Sequence, residues 1–206
     1  MTYFITGTDT NVGKTVASAW LVNQLKATYW KPIQSGTLDG RDCDTVKNLS
    51  SCPEESIIAS CYELRAPLSP HQAAKLEDIT IDIEYILATY KALPNKNRLI
   101  IEGAGGLMVP LNANQLMIDL IQALKVPVIL VARTSLGTLN HTLLSVEALT
   151  NRAIPIMGII AVGKDNPENL FSLEYYSGTH IIAHLPFLSP LNSSQLTTIQ
   201  PKRKLC

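Results

Sequence analysis

Three short stretches of this chain carry residues that can do chemistry. The first is "GTDTNVGKT", residues 7–15, directly after the apolar run "YFIT". A phosphate loop has the form G-x-x-x-x-G-K-[ST]. Its backbone N–H groups and the following helix N-terminus surround phosphate, while its lysine and hydroxyl reach phosphate and magnesium. Gly13-Lys14-Thr15 closes that pattern, but Thr8 stands where the first glycine belongs and Gly7 lies one residue too early. The context is what such a loop needs: an expected strand before it and an expected helix, "KTVASAWLVNQLK", after it.

The second stretch is "RLIIEGAGG", where an apolar run ends in Glu102 and then in Gly103, Ala104, Gly105 and Gly106. Hard Mg2+ prefers oxygen ligands, so the Glu102 carboxylate and the Thr15 hydroxyl suit it, with phosphates completing the octahedron. A glycine-rich turn after the glutamate lets backbone approach a ligand closely. The third stretch is "KPIQSG", in which Lys31 closes an expected strand ahead of a proline. A lysine at the same sheet edge as a phosphate loop can neutralise charge on a transferring phosphoryl group. Ser35 shares that edge.

The elements that must position these residues are legible as alternating short apolar runs and helical segments. Strands are expected at Tyr3–Thr6, Thr28–Lys31, Leu99–Glu102, Pro127–Ala132 and Ile156–Ala161, with a weaker one at Ile181–His184. Runs such as "VILVA" do not alternate with polar residues, which points to a parallel sheet covered on both faces. Helices are expected at Lys14–Lys26, Asp82–Ala92, Leu116–Lys125 and Thr138–Thr150, with Asp82 and Thr138 as caps. The pattern implies one α/β domain over residues 1–206, a doubly wound, mainly parallel sheet with helices on both faces. Residues 36–80 break the rhythm and read as an irregular, polar insert at a strand end, where open α/β sheets bind ligands.

Composition narrows the function classes. The chain has 206 residues, 46% of them hydrophobic, and no net charge, so nothing suggests a nucleic-acid face. The one basic cluster, "KRK" at 202–204, reads as a solvated tail. Cys43, Cys52, Cys61 and Cys206 match no metal-ligand spacing, and sparse cysteines without a secretory signal point to a cytoplasmic protein. "VPVILVA" and "IPIMGIIAV" are too short to cross a bilayer.

Together, "GTDTNVGKT", "KPIQSG", "LSPHQAA", "IEGAGG", "PVILVA" and "LGTLNH" resemble the dethiobiotin synthetase family, in its order and at roughly its spacing. That family's phosphate loop also has five residues between its glycines. The resemblance implies an ATP-dependent ligase of biotin biosynthesis that carboxylates the vicinal diamine 7,8-diaminopelargonic acid with CO2 and closes a cyclic urea. It implies that Asn11, Val12, Gly13, Lys14, Thr15 and Val16 wrap the nucleotide phosphates, and that Thr15, Asp44 and Glu102 hold Mg2+. Asp42 is a rival for Asp44, because the loop "RDCDTVKNL" aligns loosely. Lys31 would be the catalytic cation beside Lys14. Thr10, Ser35, Gly105 and Gly106 would meet the diamine, and Gly103, Ala104 and Gly105 would border the nucleotide. Members are homodimers whose substrate crosses the interface, where Leu136 and Asn140 of "LGTLNH" would contribute. His141 reads as an ordinary residue of the first helical turn.

The chain departs from the family where the base is read. The family commonly carries an Asn-Asp pair after its fifth strand, whereas this chain has Val162-Gly163-Lys164. "HLPFLSP" keeps a loop that would pack on the base through Pro186, Phe187 and Leu188. The segment 166–180 and the C-terminus are shorter than usual.

Other phosphate-loop proteins fit less well. Partner-controlled ATPases that position septa or plasmids carry a further lysine at the loop's start, where this chain has Gly7-Thr8-Asp9. A GTP switch would show Asn-Lys-x-Asp, which "VGKD" lacks. Cobyrinate-type amidation needs a glutamine-hydrolysing cysteine elbow, and none of the four cysteines sits in one.

Overall fold

The computed structural model describes residues 1–94 and 98–203. Its elements, in chain order, begin with β1 (Thr2–Gly7), α1 (Lys14–Leu25), β2 (Thr28–Trp30), β3 (Ile33–Ser35) and α2 (Asp42–Ser50). After a short 3-10 turn come β4 (Ile57–Ile58), β5 (Tyr62–Leu64), α3 (Pro70–Leu76) and α4 (Ile83–Ala92). The second half holds β6 (Leu99–Gly106), α5 (Met117–Leu124), β7 (Val128–Arg133) and α6 (Thr138–Asn151), then β8 (Ile156–Val162), α7 (Pro167–Ser177), β9 (Ile181–Leu185) and α8 (Ser193–Leu196).

Seven strands form one parallel sheet in the order β4-β2-β6-β1-β7-β8-β9, and β3 pairs with β5 alongside it. Successive residues of the central strands enter opposite cores. Tyr3 and Ile5 pack on one side with Trp20 and Leu21 of α1, whereas Phe4 packs on the other with Ile118 and Ile121 of α5. Ile100 and its neighbours Leu99 and Ile101 divide in the same way. Both faces are therefore dry, which is why these strands lack polar alternation. Trp20 is fully buried, and its indole N–H donates to the Ile199 carbonyl at 2.8 Å, tying the C-terminal segment to α1.

The order places the C-terminal end of β1 between β6 and β7, at a point where successive connections leave in opposite directions along the sheet. Open α/β sheets bind ligands at such a point. Several expectations need correction. β6 does not stop at Glu102 but runs through the glycines to Gly106, which pairs with Gly7. Residues 36–80 are not irregular, since they hold α2, α3, β4 and β5. Thr138 does not cap α6: Gly137 is the N-cap, with φ of 91°, and Thr138 is the first helical residue. Asp82 does cap α4, accepting from the Glu84 N–H at 2.9 Å. Lys202 is not frayed, because its N–H donates to the Ile182 carbonyl at 2.8 Å. Lys204 and Cys206 lie outside the described residues. No helix among the described residues is long and apolar enough to cross a membrane.

Candidate active site

The phosphate loop lies between β1 and α1, and its shape explains its odd spacing. Gly7 ends β1 with the loop folded back over it, so a Cβ there would lie 2.7 Å from the Asp9 carbonyl. Asn11 and Gly13 both take left-handed φ, at 56° and 96°. A Cβ on Gly13 would also meet the Val162 side chain at 2.8 Å, so both its conformation and its crowding demand glycine. The Thr8 N–H donates to Val131 at 3.0 Å, and the Arg133 guanidinium donates to the Thr10 carbonyl at 2.8 Å and to the Asp9 carboxylate at 3.4 Å.

Four elements meet in front of this loop. Thr15 lies in the first turn of α1, Lys31 follows β2, Asp42 opens α2, and Glu102 sits in β6. The Thr15 hydroxyl donates to Asp42 Oδ1 at 2.9 Å and lies 3.1 Å from Glu102 Oε1. The Lys31 ammonium, buried, pairs with Asp42 Oδ2 and with Glu102 Oε1, the latter at 3.2 Å. The Tyr29 hydroxyl donates to Glu102 Oε2 at 3.1 Å, and Gln34 Oε1 accepts from the Asp42 N–H at 3.2 Å. Every oxygen of both carboxylates is thereby oriented.

Charge in this cluster is strongly coupled to burial. Burial pulls Lys31 down, but the Glu102 and Asp42 carboxylates outweigh it and hold the ammonium above the ordinary lysine value. Burial likewise pushes Asp42 up, and Lys31 with its hydrogen bonds overcomes this and keeps it ionised. Lys14 has no such pair. Burial, aided by the Lys31 charge and opposed chiefly by Glu102, lowers it to about 8. Its ammonium donates to the Asp9 carbonyl at 3.1 Å. Tyr29 is pushed well above the usual tyrosine range by burial and Glu102, so it remains a donor.

Two cavities share Asn11, Gly13 and Val16. One, of about 850 Å³, contains Lys14, Thr15, Lys31, Asp42, Glu102 and Ser35, with Thr10, Ala104 and Gly105 on its wall. The Ser35 hydroxyl, in the lining of this cavity, is buried without a hydrogen-bond partner. The other, of about 670 Å³, runs past Val12 to Val162 and to Pro186, Phe187 and Leu188. A third, of about 650 Å³, opens on the far side of the loop between Thr10, Gly106, Met108, His141 and Leu144. Gly103 lines none of the three and instead packs its backbone against Phe4. Leu136 is fully exposed beside a small recess with Thr8 and Asp9, and Asn140 is exposed on α6.

Asp44 does not join the cluster. Two residues along a helix are about 200° of rotation, so when Asp42 faces Thr15, Asp44 faces outward, where it is exposed. Asp42, the rival, is the one beside Thr15 and Lys31. The sequence held no signal for Tyr29 or Arg133, whose roles come from strand register alone. Two carboxylates and a hydroxyl form an all-oxygen donor set of the kind Mg2+ takes, with phosphate and water left to supply the rest. No group of three or more His, Cys, Asp or Glu side chains able to hold a metal occurs among the described residues.

Comparison with known proteins places this geometry in a family. Residues 1–195 match a family described as an AAA domain. The chain is 41% identical over 203 residues to the ATP-dependent dethiobiotin synthetase BioD of Paramagnetospirillum magneticum, covering 98% of this chain and 96% of that one. It is 44% identical over 205 residues to the BioD of Lawsonia intracellularis, covering 100% and 97%. Among solved structures, a ParA family ATPase from Chlorobium tepidum aligns with a TM-score of 0.59 at 14% identity, over 96% of this chain and 90% of that one. The septum site-determining protein MinD of Pyrococcus horikoshii, complexed with Mg-ADP, aligns at 0.56 and 16%, over 98% and 87%. Those two show the fold alone, a phosphate-loop NTPase-like parallel sheet. The near-full-length matches at 41% and 44% identity go further: the chain belongs to the ATP-dependent dethiobiotin synthetase family of ligases.

Proposed function

We propose that this ligase uses ATP and Mg2+ to carboxylate 7,8-diaminopelargonic acid with CO2 and close it to dethiobiotin, in biotin biosynthesis. The observation that carries this is the buried Lys31 ammonium, held by Asp42 and Glu102 beside the phosphate loop and facing the cavity with the orphan Ser35 hydroxyl. Already paired with two carboxylates, that ammonium lies beside the loop where carbamate and phosphoryl charge would meet.

The chemistry supplies those anions. One amine attacks CO2, giving a carbamate and releasing a proton. A carbamate oxygen then takes the γ-phosphoryl group of ATP as ADP leaves. The second amine attacks the activated carbonyl carbon, and phosphate and a proton depart to leave the cyclic urea. No protein nucleophile is needed, and tethering makes the closure intramolecular. Asn11 to Val16 and Lys14 hold the phosphates, and Lys31 offsets charge on carbamate and transferring phosphoryl group. Ser35 and Thr10 bind the carbamate end, bordered by Gly105 and Gly106. Thr15, Glu102 and Asp42, the last in the role expected of Asp44, would hold Mg2+, which would supply positive charge for the phosphate oxygens. A homodimer completes the site, with Leu136 and Asn140 reaching the substrate of the partner subunit. Such an enzyme is at home in the cytoplasm.

Purified protein given Mg-ATP, bicarbonate and the diamine should yield ADP, phosphate and a product of dethiobiotin mass in equal amounts. Phosphate release indifferent to the diamine overturns the proposal. Lys31→Ala should lower turnover about 100- to 1,000-fold with nucleotide affinity nearly unchanged.

A further inference from the structure

The cavity of about 670 Å³ that leaves the phosphate loop past Gly13 and Val16 is where a nucleotide held by that loop would extend its base. Bases are told apart by fixed pairs of donors and acceptors set against their edges. Several polar groups around this cavity are already engaged. Asn166 Oδ1 accepts from the Asn169 N–H at 3.0 Å as the N-cap of α7, which commits one of its two lone pairs. Asn169 Nδ2 donates to the Thr134 carbonyl at 2.9 Å. The Gly163 N–H donates to Leu185 at 3.0 Å, and the Gly163 carbonyl lies 2.9 Å from His184 Nε2. Ser135, Lys164 and Asp165 line the cavity from exposed positions, so none of these side chains is a donor or acceptor held in place by packing.

The cavity also offers an apolar lining, from Val12, Val16, Val162, Pro186, Phe187 and Leu188. Phe187 is 72% exposed and belongs to none of the buried hydrophobic clusters of the described residues. Every base has a π-face, so stacking on an aromatic ring is tolerant of base identity.

We propose that this enzyme accepts nucleoside triphosphates with little regard to the base. The phosphate loop supplies the affinity, and Phe187 with its apolar neighbours supplies a contact common to all bases. The inference rests on the nucleotide-dependent ligase reading but not on its diamine chemistry. It is tested by equilibrium binding of Mg-ATP, Mg-GTP, Mg-CTP and Mg-UTP to the full chain without diamine or bicarbonate. The four dissociation constants should fall within about tenfold of one another. Phe187→Ala, a change at an exposed position, should weaken all four by a similar factor, roughly 5- to 30-fold. A spread above tenfold, or a Phe187→Ala effect that is absent or confined to one nucleotide, overturns the inference. Failure to form dethiobiotin from ATP would strike the ligase reading and leave these binding constants standing.

Discussion

Asp42 and Asp44 stand two positions apart on α2, yet only Asp42 has its carboxylate against Thr15 and Lys31. If Asp42 is a magnesium ligand, Asp42→Asn should raise the Mg2+ concentration for half-maximal turnover about 10- to 100-fold. Asp44→Asn should leave it within about twofold, as expected of an exposed residue. Equal effects, or the reverse order, would return the role to Asp44. Magnesium titration of turnover decides it. That Lys14, Thr15, Lys31 and Glu102 come together was legible in the sequence, because Lys14 and Thr15 begin α1, Lys31 follows β2 and Glu102 closes the apolar run of β6. The choice between Asp42 and Asp44 was not, because it depends on which residue starts α2, and a helix start shifted by two residues reverses the answer. Arg133 was invisible for a related reason. Its value lies in reaching back across β7 to the Thr10 carbonyl, which no spacing along the chain encodes.

Elements show the same division between local and tertiary causes. At the start of α5, the Leu116 N–H donates to Asp119 Oδ2 at 2.7 Å, and the same carboxylate pairs with Arg152 at the end of α6. Burial pushes the Asp119 carboxyl up, but the Leu116 N–H and the Arg152 charge outweigh it and hold it below the usual range. Asp119→Ala should cost about 1–2 kcal/mol, read as a lower urea midpoint at neutral pH. The folded-state pKa is depressed, so this stabilisation is full above about pH 4 and is lost as pH falls through the folded value. The gap between wild type and variant should therefore close in acid. A gap that persisted unchanged there would mean that the side chain acts through packing. α4 and α5 were legible because their own residues carry helical periodicity, and α1 because it follows the phosphate loop, its residues 17–22 being buried all round. α2 was not, since only Val46, Leu49 and Ser50 of its residues are buried, and its face is defined by α1. α7 buries only Leu170 and Leu173 and leaves Phe171, Tyr175 and Tyr176 exposed, so it shows no apolar stripe to read. β3 and β5 have three residues each, too few for any period to register.

At the scale of the molecule, strand order brings β1, β2 and β6 side by side, and the loops and strand ends that follow carry the whole cluster. The doubly wound sheet could be anticipated from alternating elements, because burial on both faces leaves its mark on composition. Subunit association leaves no such mark in one chain. It must be argued from surface. The cavity on the far side of the phosphate loop is walled by Thr10 and Gly106, which also border the proposed carbamate site, but its outer wall carries Met108 at 55% and Leu144 at 57% exposure. A second copy laid on this face would cover those side chains and the fully exposed Leu136, and would close a channel for the aliphatic tail of the diamine. Sedimentation should then give about twice the 22.5 kDa chain mass. Leu144→Asp places a charge on that apolar wall without entering the core, so it should shift the protein to monomer. It should also raise KM for the diamine by about tenfold or more while nucleotide affinity stays put, because the phosphate loop and the base cavity lie within one subunit. A monomeric wild type, or a Leu144→Asp dimer with unchanged KM, would show that each chain builds its substrate channel alone.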